Sequence, residues 1–252
     1  MIKFPRMAKT DDYRAALGTL DDWIPFLRKN SGLPGPRGNL ELAHVVAELG
    51  NKKQFKQLLS FRAEENTPEV FLIFCGVLGV GKLAAHEPKL FEQLRVYASD
   101  PRWRIREAVA TGLQLVGDQD MPLLINEMED WSKGNWYEKR AAAAALAEPR
   151  LLKEAKYAKK ALQVLDEITT TMENAGEEKD ASFKVLRQAM GYCWSMAVAA
   201  LPEDGKPMLE KWLESDNKDL RWIMKENLKK NRLIKMDADW VKACAKKVES
   251  IS

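Results

Sequence analysis

The sequence predicts an all-α chain assembled from repeated helix pairs, and three observations carry that expectation. Helix-forming residues dominate, and no segment keeps an apolar-polar alternation long enough for a strand. Polar or Gly/Pro-rich breaks recur along the chain and cut it into helices of roughly 11 to 25 residues joined by short turns. One motif is written twice: ASDPRWRIREAVATGL at 98–113 and ESDNKDLRWIMKENLK at 214–229 both pass from Ser-Asp through a polar turn into an apolar-Arg pair and a helical run.

The breaks, in order, are NSGLPGPRGN, ENTPE, AHEPK, ASDPR, VGDQDMP, SKGN, AEPR, GEEKD, ALPEDGKP, ESDNKD and IKMDAD. An arginine just inside a helix marks four of the units: Arg106, Arg140, Arg187 and Arg221, at intervals of 34, 47 and 34 residues. Two earlier helices, from Asn39 and from Pro68, lack the arginine but keep the spacing, which makes about six antiparallel pairs. Asp100 and Asp216 stand where a carboxylate caps the following helix, and Pro101 fits a first helical position. The alanine run at 141–147 predicts a helix seated closely between its neighbours. The long interval predicts an extended helix over Leu151 to Ala175 ending in a polar loop, and the helix around Asp239 to Glu249 closes the stack with Trp240, Val241, Cys244 and Val248 on one face.

On these residues the chain resembles the HEAT family of α-solenoid repeats over roughly residues 38–233, most clearly in DPRWRIREAVATGL and DNKDLRWIMKENL. The resemblance implies a right-handed superhelix in one domain, with residues 1–37 as an N-terminal cap and Pro/Gly loop and residues 234–252 as a C-terminal cap. A pair of helices buries too little alone, so stacking of neighbours supplies the core. Architecture is what such repeats identify; function must come from the surface.

Composition narrows the classes. At 46% hydrophobic and 31% charged residues, with a mean hydropathy of −0.39, the chain is globular and lacks the run of about 20 apolar residues that a membrane helix needs. Its first residues, MIKFPRMAKTDDYRAA, carry no apolar secretory segment, which points to the cytoplasm. Cys75, Cys193 and Cys244 are far apart in apolar stretches and read as reduced core thiols. His44 and His86 form no ligand spacing, so neither a metal nor another cofactor is expected. Net charge is only +3, but from Asn217 onward ten Lys or Arg face five Asp or Glu.

The expected function is a non-enzymatic scaffold whose concave surface meets a protein or other macromolecule. Arg106, Arg140, Arg187 and Arg221 with Trp103, Trp136 and Trp222 are the candidate binding residues, because guanidinium and indole groups recur beside one another. Against that stands inter-repeat glue: each arginine pairing with a carboxylate such as Asp100, Glu138 or Asp219, and each tryptophan filling a wedge. Lys225, Lys229, Lys230 and Arg232 are candidate phosphate contacts. HEAT-like solenoids include DNA alkylation-repair glycosylases, and the segment EDWSKGNWYEKRAAAAAL resembles a groove-lining part of that family; this makes nucleic-acid binding the alternative. The carboxylate that such a glycosylase needs has no convincing counterpart, since Asp118 and Asp120 lie in QLVGDQDMPLL without aromatic neighbours. SGLPGPRGN reads as a connector rather than an anion loop, and GVLGVGKL, inside an apolar helix and without a following Ser or Thr, is no nucleotide loop.

Overall fold

A computed structural model describes residues 9–176 and 179–250, with side chains as far as Lys247. Among the described residues there are fifteen α-helices and no strand. The chain divides into two compact units, Met1–Val116 and Gly117–Ser252.

The first unit begins with α1 (Lys9–Thr19), α2 (Ile24–Asn30), α3 (Leu40–Leu49) and α4 (Lys52–Leu59). Short polar side chains set the starts. Asn39 Oδ1 accepts from the Leu42 N–H, and Asn51 forms a capping box with Gln54. The break at Gly50–Asn51 escapes the sequence reading because it holds no proline and only one glycine. Asp11 and Asp12 sit in the first turn of α1, where their charge suits the positive end of the helix dipole, and Asp22 accepts from the Ile24 N–H at 3.0 Å at the start of α2.

Next come α5 (Pro68–Ala84), α6 (Leu90–Ala98) and α7 (Trp103–Gln119), which runs on past the unit boundary. α5 packs against α2, α3, α4 and α6. It is apolar on every side, and Val70 through Val80 are all buried, as the centre of a small core demands. Its glycines allow close approach: a Cβ on Gly81 would lie 2.4 Å from Gly112 Cα of α7, so the two backbones touch there.

The second unit holds α8 (Met121–Trp131), α9 (Trp136–Leu146), α10 (Ala155–Glu173), α11 (Ala181–Ala200), α12 (Pro202–Leu213), α13 (Lys218–Leu228), α14 (Asn231–Met236) and α15 (Ala238–Ser250). Packing follows chain order two steps at a time. α9 lies on α11 and α11 on α13; α8 lies on α10 and α10 on α12. In the first unit α1 lies on α3 and α3 on α5 in the same manner. The alanines of α9 are buried, apart from the half-buried Ala144, and the helix fits closely against its neighbours as the run predicts. Asn227 of α13 is fully buried; its Oδ1 accepts from the Ser195 N–H at 2.8 Å, while Nδ2 donates to the Met190 and Ile223 carbonyls.

Some boundaries differ from expectation. Pro101 lies in the turn, because α7 starts two residues later. Asn217, not Asp216, caps α13: its Oδ1 reaches the Asp219 N–H at 2.9 Å, while the Asp216 side chain points to solvent. Asp100 accepts from the Arg102 N–H at 2.8 Å, closing the turn ahead of α7 rather than capping the helix. The ALPEDGKP break shrinks to Leu201, with Pro207 accommodated inside α12. Helix α10 is long, though it starts only at Ala155, and Glu177–Glu178 of the loop after it lie outside the described residues. In α15 Cys244 is buried and Trp240 and Val241 half-buried, while the Val248 side chain lies outside the described set. All three cysteines are buried free thiols, and burial pushes those of Cys75 and Cys244 up, the latter to about 11.

Candidate functional site

Two of the four marker arginines, Arg106 and Arg221, face their own turns. Arg106, 8% exposed, donates from Nη1 to the carbonyls of Asp100 at 2.7 Å and Pro101 at 2.9 Å. Arg221 donates from Nη1 to the Ser215 carbonyl at 3.2 Å, and its guanidinium is 4.0 Å from Asp216. In both motifs the acceptor lies six residues before the arginine. Arg187 places Nε 2.9 Å from Asp219 Oδ1, but off the N–H axis, so the attraction is Coulombic rather than a formed hydrogen bond. Arg140 is 8% exposed within α9. The physical reason is common to Arg106 and Arg221: turn carbonyls ahead of a helix have no backbone donor, and an arginine one turn into the helix reaches back to them.

The tryptophans divide. Trp136 meets Phe183 edge to face at 5.3 Å, and the Trp222 ring lies 3.8 Å under the Arg187 guanidinium and against Gly191, where an added Cβ would come within 3.1 Å of the indole. Both fill space between helices of the second unit. Trp103, by contrast, is 45% exposed, with the Arg104 guanidinium 4.4 Å from its ring.

The basic cluster gathers at the α13–α14 turn. Lys229, Lys230, Asn231, Arg232 and Lys235 border a shallow surface recess, while Lys225 lies on α13. Arg232 donates to Ser195 Oγ at 2.8 Å and to the Tyr192 hydroxyl at 2.6 Å, and its guanidinium lies 4.3 Å from the Tyr192 ring. Lys229 pairs with Glu226, but among the described residues neither Lys230 nor Arg232 has a carboxylate partner.

One cavity, of about 210 Å³, escapes the sequence reading altogether because its walls come from three distant segments of the first unit. Leu33, Leu40, Phe71, Phe74 and Trp103 line it, with Arg37 beside them. The Phe71 and Phe74 rings stack at 6.4 Å, and Leu40, at 42% exposure, and Trp103 lie at the opening. The SGLPGPRGN loop forms one wall and is held firmly. Gly32 has φ 75°, a conformation that suits glycine. The Asn39 N–H donates to the Ser31 carbonyl at 2.8 Å; Asn39 Nδ2 donates to the Tyr13 hydroxyl at 2.8 Å and the Asn30 carbonyl at 2.9 Å. The Gly35 N–H donates to Asn66 Oδ1 at 3.1 Å, so this amide is committed within the protein and does not face an anion.

Arg104 ties the loop down. It is 7% exposed and donates to the Gly35 carbonyl at 2.8 Å, the Glu65 carbonyl at 3.2 Å and Glu65 Oε1 at 3.0 Å. Its Nε is buried without a hydrogen-bond partner. Arg37 is exposed, and among the described residues its guanidinium makes no hydrogen bond or ion pair.

Other candidates resolve structurally. Asp118 pairs with Arg150 at 2.8 Å, and Asp120 caps α8 by accepting from the Leu123 N–H at 2.9 Å. GVLGVGKL lies inside α5, where Lys82 donates to the Glu48 carbonyl at 2.6 Å. Among the described residues no three His, Cys, Asp or Glu side chains come together as a metal site, and no helix is long and apolar enough to cross a membrane. Comparisons with known protein families, curated proteins and solved structures find no match.

Proposed function

We propose that the chain is a HEAT-like α-solenoid of about six helix pairs that works as a non-enzymatic binding protein or scaffold for a macromolecular partner in the cytoplasm. The observation that carries this reading is the recurrent turn: Asp100 with Arg106 and Ser215 with Arg221 repeat one arrangement, in which residue i closes the turn through the N–H of i+2 and offers its carbonyl to the arginine at i+6. Helices that stack two steps apart in chain order support it further. In this reading Arg106, Arg187 and Arg221 hold turns rather than ligands, and exposed side chains between them meet the partner. Small-angle scattering tests the architecture: an elongated particle is expected, whereas a radius of gyration near the roughly 18 Å of a compact 252-residue sphere would refute it.

The alternative is nucleic-acid binding, favoured by Lys230 and Arg232 beside the exposed Tyr192 ring, with Lys235 on the same recess as those two cations. Titrating labelled duplex DNA over a salt series separates the two. The scaffold reading expects no saturable binding even at low salt, while affinity falling with log[salt] at a slope of about −3 would move the assignment to the basic cluster. A glycosylase activity has little support, since Asp118 and Asp120 are engaged in an ion pair and a helix cap.

A further inference from the structure

The geometry points to a ligand site in the first unit: the cavity between the 31–39 loop, α5 and the start of α7 takes an apolar ring system that carries a carboxylate, with Arg37 as the anion's partner. This inference does not depend on the scaffold reading, because it uses only residues of one unit.

Size comes first. A volume of about 210 Å³ exceeds the roughly 150 Å³ that holds a benzene ring in an apolar cavity, and falls below the ~300 Å³ at which drug-sized pockets begin. One or two fused rings fit. The floor is aromatic: stacked Phe71 and Phe74, both nearly buried, offer flat faces to a planar guest. At the opening, Leu40 and Trp103 leave apolar surface in water that a guest would cover, a recurrent property of binding hot spots.

Charge selects among guests of that shape. Three ionisable groups border the cavity: Arg37, Arg104 and Glu107. Arg104 is neutralised by Glu65 and its guanidinium is spread over the Gly35 and Glu65 carbonyls. Glu107 interacts within the protein. Arg37 alone of the three has no partner among the described residues, so the charge left to recognise is positive. A carboxylate takes a guanidinium in two parallel hydrogen bonds, and its single charge balances this one.

The wall is built before the guest arrives. Arg104 at Gly35, Asn66 at the Gly35 amide and Asn39 at the loop's base fix the chain on both sides of Arg37. A guest therefore orders little besides the Arg37 side chain, which lowers the entropic cost of binding.

Isothermal titration of the full chain with indole-3-propionate tests the site, with indole-3-propionamide and tryptamine as neutral and cationic arms and a tripeptide ending in tryptophan as the second source of the same chemistry. The acid is expected to bind with a Kd of order 0.1–1 mM, as ~14 heavy atoms at about 0.3–0.4 kcal/mol each imply. The amide and amine are expected at least about tenfold weaker, the loss set by one charge-assisted contact. Arg37→Gln, a change at an exposed side chain that keeps the fold, should weaken the acid by a similar factor and leave the amide unchanged; Lys29→Gln should change neither. Tighter binding of the tripeptide assigns the source to a chain terminus, and tighter binding of the free acid to a small metabolite. Equal affinity for acid, amide and amine, an acid unaffected by Arg37→Gln, or no saturable binding of acid or tripeptide at about 5 mM would each overturn the proposal.

Discussion

The starts of α7 and α13 share a turn and differ in how they hold what precedes them. Asp100 and Ser215 occupy corresponding places: each accepts from the backbone N–H two residues on, and each gives its carbonyl to the arginine six residues on. Two residues before that arginine the chemistry inverts. Arg104 reaches outward as a cation to Glu65 and Gly35, while Asp219 receives Lys179 at 2.8 Å and Arg187 at 2.9 Å. The difference teaches that a turn can be repeated for its backbone geometry while the polarity of its anchor to the earlier loop is free to reverse. What recurs is hydrogen-bond bookkeeping of the main chain; the sign of the charge does not matter to it.

Burial should rank the consequences. Arg104→Ala strips a 7%-exposed guanidinium from the Glu65 carboxylate and from three neutral acceptors, the Glu65 and Gly35 carbonyls and Asn66 Oδ1, so a loss of about 3 kcal/mol is expected in chemical denaturation of the first unit, with amide exchange accelerating first in residues 33–38. Asp219→Asn leaves Lys179 and Arg187 without their counter-charge in a less enclosed site; about 1–2 kcal/mol is expected. A double-mutant cycle with Arg187→Met should show coupling above ~0.5 kcal/mol, and additivity would remove Asp219 as the anchor. Ser215→Ala, which loses one turn hydrogen bond while the carbonyl remains for Arg221, should cost only about 0.5 kcal/mol. A larger loss there than at Arg104 would break the ranking by burial.

The smallest effect is one of pH. Asp180 is held below its ordinary 3.8 by the Ser182 hydroxyl first and by the Phe183 N–H, and Asp237 is held below it by Lys206 first and then the Trp240 N–H. A carboxylate whose folded pKa is depressed binds protons less well folded than unfolded. Its contribution is therefore complete above the unfolded value and is lost as pH falls through that value toward the folded one. Stability of the second unit should decline below about pH 4 in this way, and Asp180→Asn should flatten part of the decline when unfolding is followed across pH 2–6. An unchanged slope would show that Asp180 titrates alike in both states.

Much of the fold is legible because it rests on local chemistry. Asn39, Asp120, Asn135, Asp180 and Asn217 each cap a helix, and short polar residues before apolar-periodic runs signal that. The errors are local too: between Asp216 and Asn217 only the backbone's path decides which side chain folds back, and two adjacent candidates look alike in sequence. The site is far less legible. Trp103 stands out by type, but Arg37 reads as part of a connector, and Phe71 and Phe74 are indistinguishable from other apolar residues of α5. Only the chain's return brings Leu33, Phe71 and Trp103 to one cavity. The marker arginines show the converse: their spacing is periodic because turns are periodic, and periodicity alone says nothing about whether a guanidinium faces solvent or its own main chain.

Asn227 shows how helices can keep their alignment without help from the segments that join them. One amide, sunk between α11 and α13, answers both a donor and an acceptor of its neighbour, and a slide of either helix by a single residue would leave all of those groups in a dry interior unanswered. The connection through α12, from Leu201 to Asn217, is thereby relieved of setting the register alone, and residues added at the exposed Glu214, ahead of the Ser215 turn, should bulge outward while the two helices remain locked like a bolt in its keep.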